Sequence, residues 1–140
     1  MNVTEIAFAK HLAITVRDDG RLELPFNDYL QNHLNTIHAS AQFGLAETAS
    51  GAHLLSLFPE LAQTVVPLLR DAQVKFKRPA TSTLCAYPST EKATLTKFSK
   101  QITSKGRGTI RVDVELRDAE GMVVCVASYQ WFVQKIDGNR

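Results

Sequence analysis

The stretch His38-Ala-Ser-Ala-Gln-Phe-Gly-Leu-Ala-Glu-Thr-Ala-Ser-Gly-Ala-His-Leu-Leu-Ser-Leu-Phe58 decides how this chain folds. It is rich in alanine, it has no proline, and small or apolar residues occupy nearly every helical face. A surface helix keeps one polar face, so a helix that is apolar all round is covered on all sides. The reading is a buried helix from His38 to about Phe58. Asn35 or Thr36 can cap its first turn, and Pro59 closes it.

Upstream, Leu12, Ile14 and Val16 alternate with polar neighbours, Arg17-Asp-Asp-Gly20 supplies turn chemistry, and Leu22, Leu24 and Phe26 alternate again. That pattern is a β-hairpin, ended by Pro25 and Asn27-Asp28. Downstream, Glu60–Leu69 reads as a short second helix interrupted by Pro67. Val74–Lys77 and Thr81–Tyr87 read as strands, and Thr90–Thr103 fits either a basic helix or strand-flanking turns. Ile110–Arg117 puts four apolar residues on one face and four charges on the other, as a half-solvated antiparallel strand does. Asp118–Gly121 turns it into the long strand Met122–Gln134. A hairpin, a buried helix and several long strands imply an α+β layout in which an antiparallel sheet wraps the helix.

The chain has 140 residues, 44% of them apolar and 21% charged, with a net charge of +2. This composition excludes disordered, collagenous and membrane-spanning classes, and the expectation is one domain over residues 1–140. No repeat or Pro/Gly/Ser linker divides it. Glu5, Lys10, His11 and Arg17 interrupt the apolar run that a secretory signal needs. Cys85 and Cys125 sit in apolar strand-like runs and are read as buried free thiols, which points to the cytoplasm.

Chemistry concentrates at the start and middle of the helix. Glu47 lies among Phe43, Gly44, Leu45, Ala46, Ala49 and Gly51, where lost solvation raises a carboxyl pKa and fits it to act as a base or nucleophile near neutral pH. The competing reading puts Glu47 on a solvated stripe, bonded to Gln42, His53 or water. The first N–H groups, near Ala39 and Ser40, have no partner within the helix and form an electropositive tip suited to a developing oxyanion. Asn32 and His38 stand beside that tip. Glu47 follows His38 by nine residues, roughly 13 Å along the axis and about 180° around it. Both can serve one small reacting group only if they come from different subunits of a symmetric dimer.

The four histidines and two cysteines show no zinc-type spacing, and no phosphate loop or nucleophile elbow is present, so no metal and no cofactor is expected. From Ser89 to Arg111 six basic residues, including Lys105 and Arg107, oppose Glu91 alone. Lys105-Gly-Arg107-Gly can approach a phosphorylated ligand closely. Aromatics are not interleaved with these charges, so nucleic acid is not an expected partner, and no apolar run approaches the ~18 residues of a spanning helix, so a membrane is not expected either.

These residues resemble the hotdog-fold acyl-CoA thioesterases of the PaaI and 4-hydroxybenzoyl-CoA type. The shared features are a hairpin, Asn32 six residues before His38, and a small-residue helix with its acid nine residues after that histidine. More narrowly, Asn32–Ala41 followed by Leu45-Ala46-Glu47 is similar to the DUF4442 subfamily, with a common element order from about Leu12 to Gln134. The resemblance implies a hotdog fold, a homodimer with a continuous sheet (often paired again into a tetramer), and sites between subunits. It implies that Glu47 is the general base or nucleophile, that the Ala39 N–H polarises the thioester carbonyl, and that Asn32 and His38 position substrate. Ser40, Lys105 and Arg107 complete the candidate set as substrate-binding residues. The implied substrate is an acyl-CoA or acyl-carrier thioester. The family's usual His-Gly-Gly is His38-Ala39-Ser40 here. That departure motivates an alternative: a hotdog dimer that binds the acyl group or its carrier without cleaving it. A dehydratase fits less well, because no Asp/His pair sits in one helix-start motif.

Overall fold

In a computed structural model, which describes residues 1–137, the chain forms one six-stranded antiparallel sheet and three helices. The expected span of 1–140 runs three residues past that description. In chain order the elements are α1 (Ala7–His11), β1 (Thr15–Val16), β2 (Leu22–Leu24), α2 (Ala39–Leu57), β3 (Val65–Phe76), β4 (Leu84–Ser89), α3 (Lys92–Lys105), β5 (Arg107–Arg117) and β6 (Val123–Lys135). The sheet order is β1-β2-β4-β5-β6-β3, with β1 and β3 at the two edges.

The sheet curls around α2, which touches β2, β3, β4, β5 and β6 as well as α1. Along β5 the alternation is regular: Gly108, Ile110, Val112, Val114 and Leu116 are buried, while the intervening residues face outward. With Leu24, Leu45, Leu84, Val124 and Tyr129 they form a continuous apolar core. Each fully buried Leu or Ile there contributes about 1.5–3 kcal/mol. Small residues let the layers approach. A Cβ on Gly44 would lie 2.6 Å from Leu12 Cδ1 and 3.2 Å from Phe8 Cε1, so glycine is what admits α1 against α2.

The wrapped α+β architecture and the buried central helix are as expected, and several local readings are corrected. The helix begins at Ala39 with His38 as its N-cap, not Asn35 or Thr36; Asn35 instead has a left-handed backbone in the preceding loop. The hairpin turns at Arg17–Gly20, but its strands are short, because Leu12 ends the unforeseen α1. Glu60–Leu69 is not a helix. Turns at its start lead into β3, and Pro67 is accommodated there because β3 is an edge strand whose missing N–H disrupts no ladder. Lys92–Lys105 resolves as a helix, closed by Gly106 in the left-handed conformation with its N–H bonded to the Ile102 carbonyl. Cys85 and Cys125 are both buried and unpaired, as expected.

Candidate functional site

The loop before α2 is shaped by Asn32. Its Oδ1 accepts from the Leu34 and Thr36 amides at 2.9 and 3.2 Å, and its Nδ2 donates to Thr36 Oγ1 at 2.9 Å. The amide expected to orient a substrate is therefore largely engaged in holding its own loop, with one Nδ2 hydrogen left over. A bridge between Gln31 and Ile37 and a bond from the His38 amide to the Leu30 carbonyl deliver the chain to the helix start.

At that start His38 Nδ1 accepts from the Ser40 amide at 2.9 Å. An Nδ1 that accepts leaves the neutral ring's proton on Nε2, so His38 presents an N–H donor outward. The amides of Ala41 and Gln42 both bond to the His38 carbonyl. Among the described residues this leaves the Ala39 N–H as the first-turn amide without an acceptor. Ala39 and Ser40 are exposed, and the tip carries the positive end of a 19-residue helix. Behind it Gln42, 5% exposed, donates to the Ile37 carbonyl while its Oε1 finds no partner.

Glu47 lies in the third turn and is half-buried. Its carboxylate makes no ion pair or hydrogen bond among the described residues, and burial raises its pKa above the ordinary carboxylate value. The competing reading offered Gln42, His53 or water as its partner, and neither side chain bonds it: Gln42 is turned to Ile37, and His53 Nε2 is buried without a partner among the described residues. Burial also pushes the His53 pKa down.

Within one chain the candidate residues fall into three places. Asn32, His38, Ala39 and Ser40 share the amino-terminal tip. Glu47 stands about 13 Å along the same helix from His38. Lys105 and Arg107 are at the other end of the molecule, where Gly106 accepts from the Lys135 amide and the chain leaving α2 enters β3 beside Lys135. Tyr129 and Trp131, which the sequence reading did not single out, reach α2 on either side of Glu47 from β6. The strand pattern puts both on its buried face but carries no signal for which turn of α2 they meet. No group of three or more metal-ligating side chains exists among the described residues. None of the described helices is long and apolar enough to cross a membrane.

No curated protein matches the chain. Many solved structures resemble it, three of them as follows. A Pseudomonas aeruginosa protein named "Probable Thioesterase" is 22% identical, with 96% of this chain and 91% of that one covered at a TM-score of 0.78. A Haemophilus influenzae thioesterase is 17% identical, with coverage of 99% and 90% and a TM-score of 0.73. A Bacillus halodurans protein solved with CoA is 21% identical, with coverage of 90% and 74% and a TM-score of 0.69. At these identities the likeness establishes the hotdog fold. The family model described as "Domain of unknown function (DUF4442)" matches residues 7–133, and the chain therefore belongs to the DUF4442 family.

Proposed function

We propose that this protein hydrolyses an acyl-CoA thioester in a cleft between two copies of the chain. In this reading Glu47 of one copy activates water or attacks the thioester carbonyl directly, and the Ala39 N–H of the other copy binds the oxyanion that develops. His38 Nε2–H and the remaining Asn32 Nδ2 hydrogen orient the acyl group at the same tip. Lys105 and Arg107, far from the tip in their own chain, are assigned to the phosphates of a long ligand such as CoA, and Ser40 to the rim of the cleft.

The observation that carries this reading is the Ala39 N–H, the one first-turn amide left without an acceptor. It stands at the positive end of a helix whose half-buried acid is unpaired. Water or a thioester carbonyl is the kind of partner that such a donor and such an acid can share. Dimerisation is supported by two features: the nine-residue offset keeps the two groups apart within one chain, and β3 is a 12-residue strand at the sheet edge with Val66, Leu68 and Phe76 exposed. Two buried free thiols are consistent with a cytoplasmic setting.

Binding without cleavage is the second reading, and Asn32 favours it, since most of that amide's hydrogen bonds are made within its own loop. The test is release of free thiol from a panel running from acetyl-CoA to palmitoyl-CoA and including benzoyl-CoA. Release that Glu47→Ala abolishes supports hydrolysis. Tight binding without release supports the second reading, and a rate unchanged by Glu47→Ala overturns the assignment of the acid.

A further inference from the structure

Among the described residues, the hydrogen bonds between α2 and the sheet are confined to one place. Tyr129, fully buried on β6, donates from its hydroxyl to the Phe43 carbonyl at 3.1 Å. That carbonyl is the one four residues before Glu47, the acceptor that an α-helix assigns to the Glu47 amide. Two positions along β6, Trp131 Nε1 donates to Ser50 Oγ at 3.0 Å, and Ser50 Oγ donates in turn to the Glu47 carbonyl at 2.7 Å. The peptide groups on both sides of Glu47 are thus tied to alternate residues of a single strand. The Phe43 and Tyr129 rings meet edge to face at 5.4 Å, so the turn is also packed against that strand. Elsewhere α2 meets the sheet through apolar contact, which resists separation but fixes rotation and sliding only loosely.

We propose that Tyr129 and the Trp131–Ser50 relay are positioning residues that fix the rotation and depth of the Glu47 turn, and so the place of its carboxylate. The argument deepens the hydrolase reading and rests on it only for its kinetic consequence. Neither aromatic is assigned contact with a substrate. Bonds to a backbone are suited to this task, because they hold the helix without neutralising the carboxylate. Polar groups this deeply buried also make the arrangement costly to leave, since an unpaired Tyr hydroxyl or Trp N–H in the core loses its hydrogen bond outright.

The titratable groups meeting here are Glu47, Tyr129 and Cys125. Burial pushes the Cys125 thiol up to about 11 and the Tyr129 phenol higher still, and it raises the Glu47 carboxyl above the ordinary carboxylate value.

The test combines kinetics on the acyl-CoA panel with a ¹³C titration of the Glu47 carboxyl by NMR. Tyr129→Phe keeps the ring and its packing and removes only the hydroxyl. The expected results are a fall in kcat of about tenfold with KM within about twofold, and a Glu47 midpoint lower by about half a unit as water reaches a loosened turn. Ser50→Ala, the second variant, is expected to act in the same direction. In a Glu47→Gln background, Tyr129→Phe is expected to have no further effect on the rate. A folded Tyr129→Phe protein whose Glu47 midpoint and kcat match the wild type overturns the proposal, as does a further rate loss in the Glu47→Gln background. A displaced midpoint in a protein that cleaves no thioester supports the positioning role and removes the hydrolase reading instead.

Discussion

At the first turn of α2, the side-chain bonds that shape the backbone come from close neighbours, with His38 capping Ser40 and Asn32 closing on Thr36. At the third turn the corresponding bonds come from Tyr129 and Trp131, whose partners Phe43 and Ser50 lie 86 and 81 residues away in sequence. Apart from the Ile37 amide, which bonds to the Ala80 carbonyl, the tip is held by local hydrogen bonds, whereas the Glu47 turn takes its place only when β6 has packed. The difference suits the two proposed roles. An N–H donor at a helix end needs only direction, which the helix axis supplies, whereas a base must also stand at a set depth in the cleft.

The sharpest way to break this comparison is to remove the acid. Glu47→Gln is expected to lower thiol release by at least about 10²-fold, and to raise thermal stability at neutral pH by relieving a half-buried, unpaired charge. The sign follows from linkage. Burial makes the native state bind the Glu47 proton more readily than the unfolded chain, so stability falls as pH rises from 4.5 towards the raised value. His53 acts with the opposite sign, because burial disfavours its cation and stability is lost as pH falls below 6.5. Activity is expected to fall on the acid side with a midpoint above the ordinary carboxylate range, and Glu47→Gln to flatten the carboxylate part of the stability profile measured by urea melts.

Next in size is the tip. Ala39→Pro deletes the free N–H while leaving the helix start intact, because proline suits the first helical position and His38, at ψ 141°, already has the extended backbone that precedes proline. The expected outcome is a loss of about 10²-fold in kcat with near-wild-type stability. The packing that seats the middle of α2 should be less forgiving. Gly44→Ala must displace Leu12 or Phe8 and is expected to cost about 1–3 kcal/mol by urea denaturation. Gly51→Ala, whose methyl would sit at an ordinary 3.4 Å from Trp131, should cost clearly less. His38→Ala is expected to cost about 1 kcal/mol of stability for a lost cap.

The same contrast explains what was legible in the sequence. The α2 composition announced a buried helix, because a helix apolar on nearly every face has to be covered, and the alternation in Ile110–Arg117 announced β5, because its period of two is that of a strand. Pro67 misled the reading between Glu60 and Leu69, since a proline tolerated at a sheet edge looks locally like any other interruption, and edge position is a tertiary fact. The expected cap at Asn35 or Thr36 failed because His38, outside the usual capping residues, uses its ring nitrogen for that bond. The candidate site at Glu47 and the tip is read from residue type and spacing. The two aromatic anchors cannot be, because nothing in a linear pattern says which inward-facing strand residue will meet which turn of a helix.

The most direct measurement mixes two inactive proteins. Ala39→Pro and Glu47→Gln subunits are unfolded together, refolded as a mixture, and assayed for thiol release. If each site joins the helix tip of one chain to the acid of the other, random pairing makes half the dimers mixed. Each mixed dimer then holds one intact site of two, so about a quarter of the wild-type rate should return. A mixture no more active than either variant alone, in a protein shown to have exchanged subunits, would contradict the shared cleft.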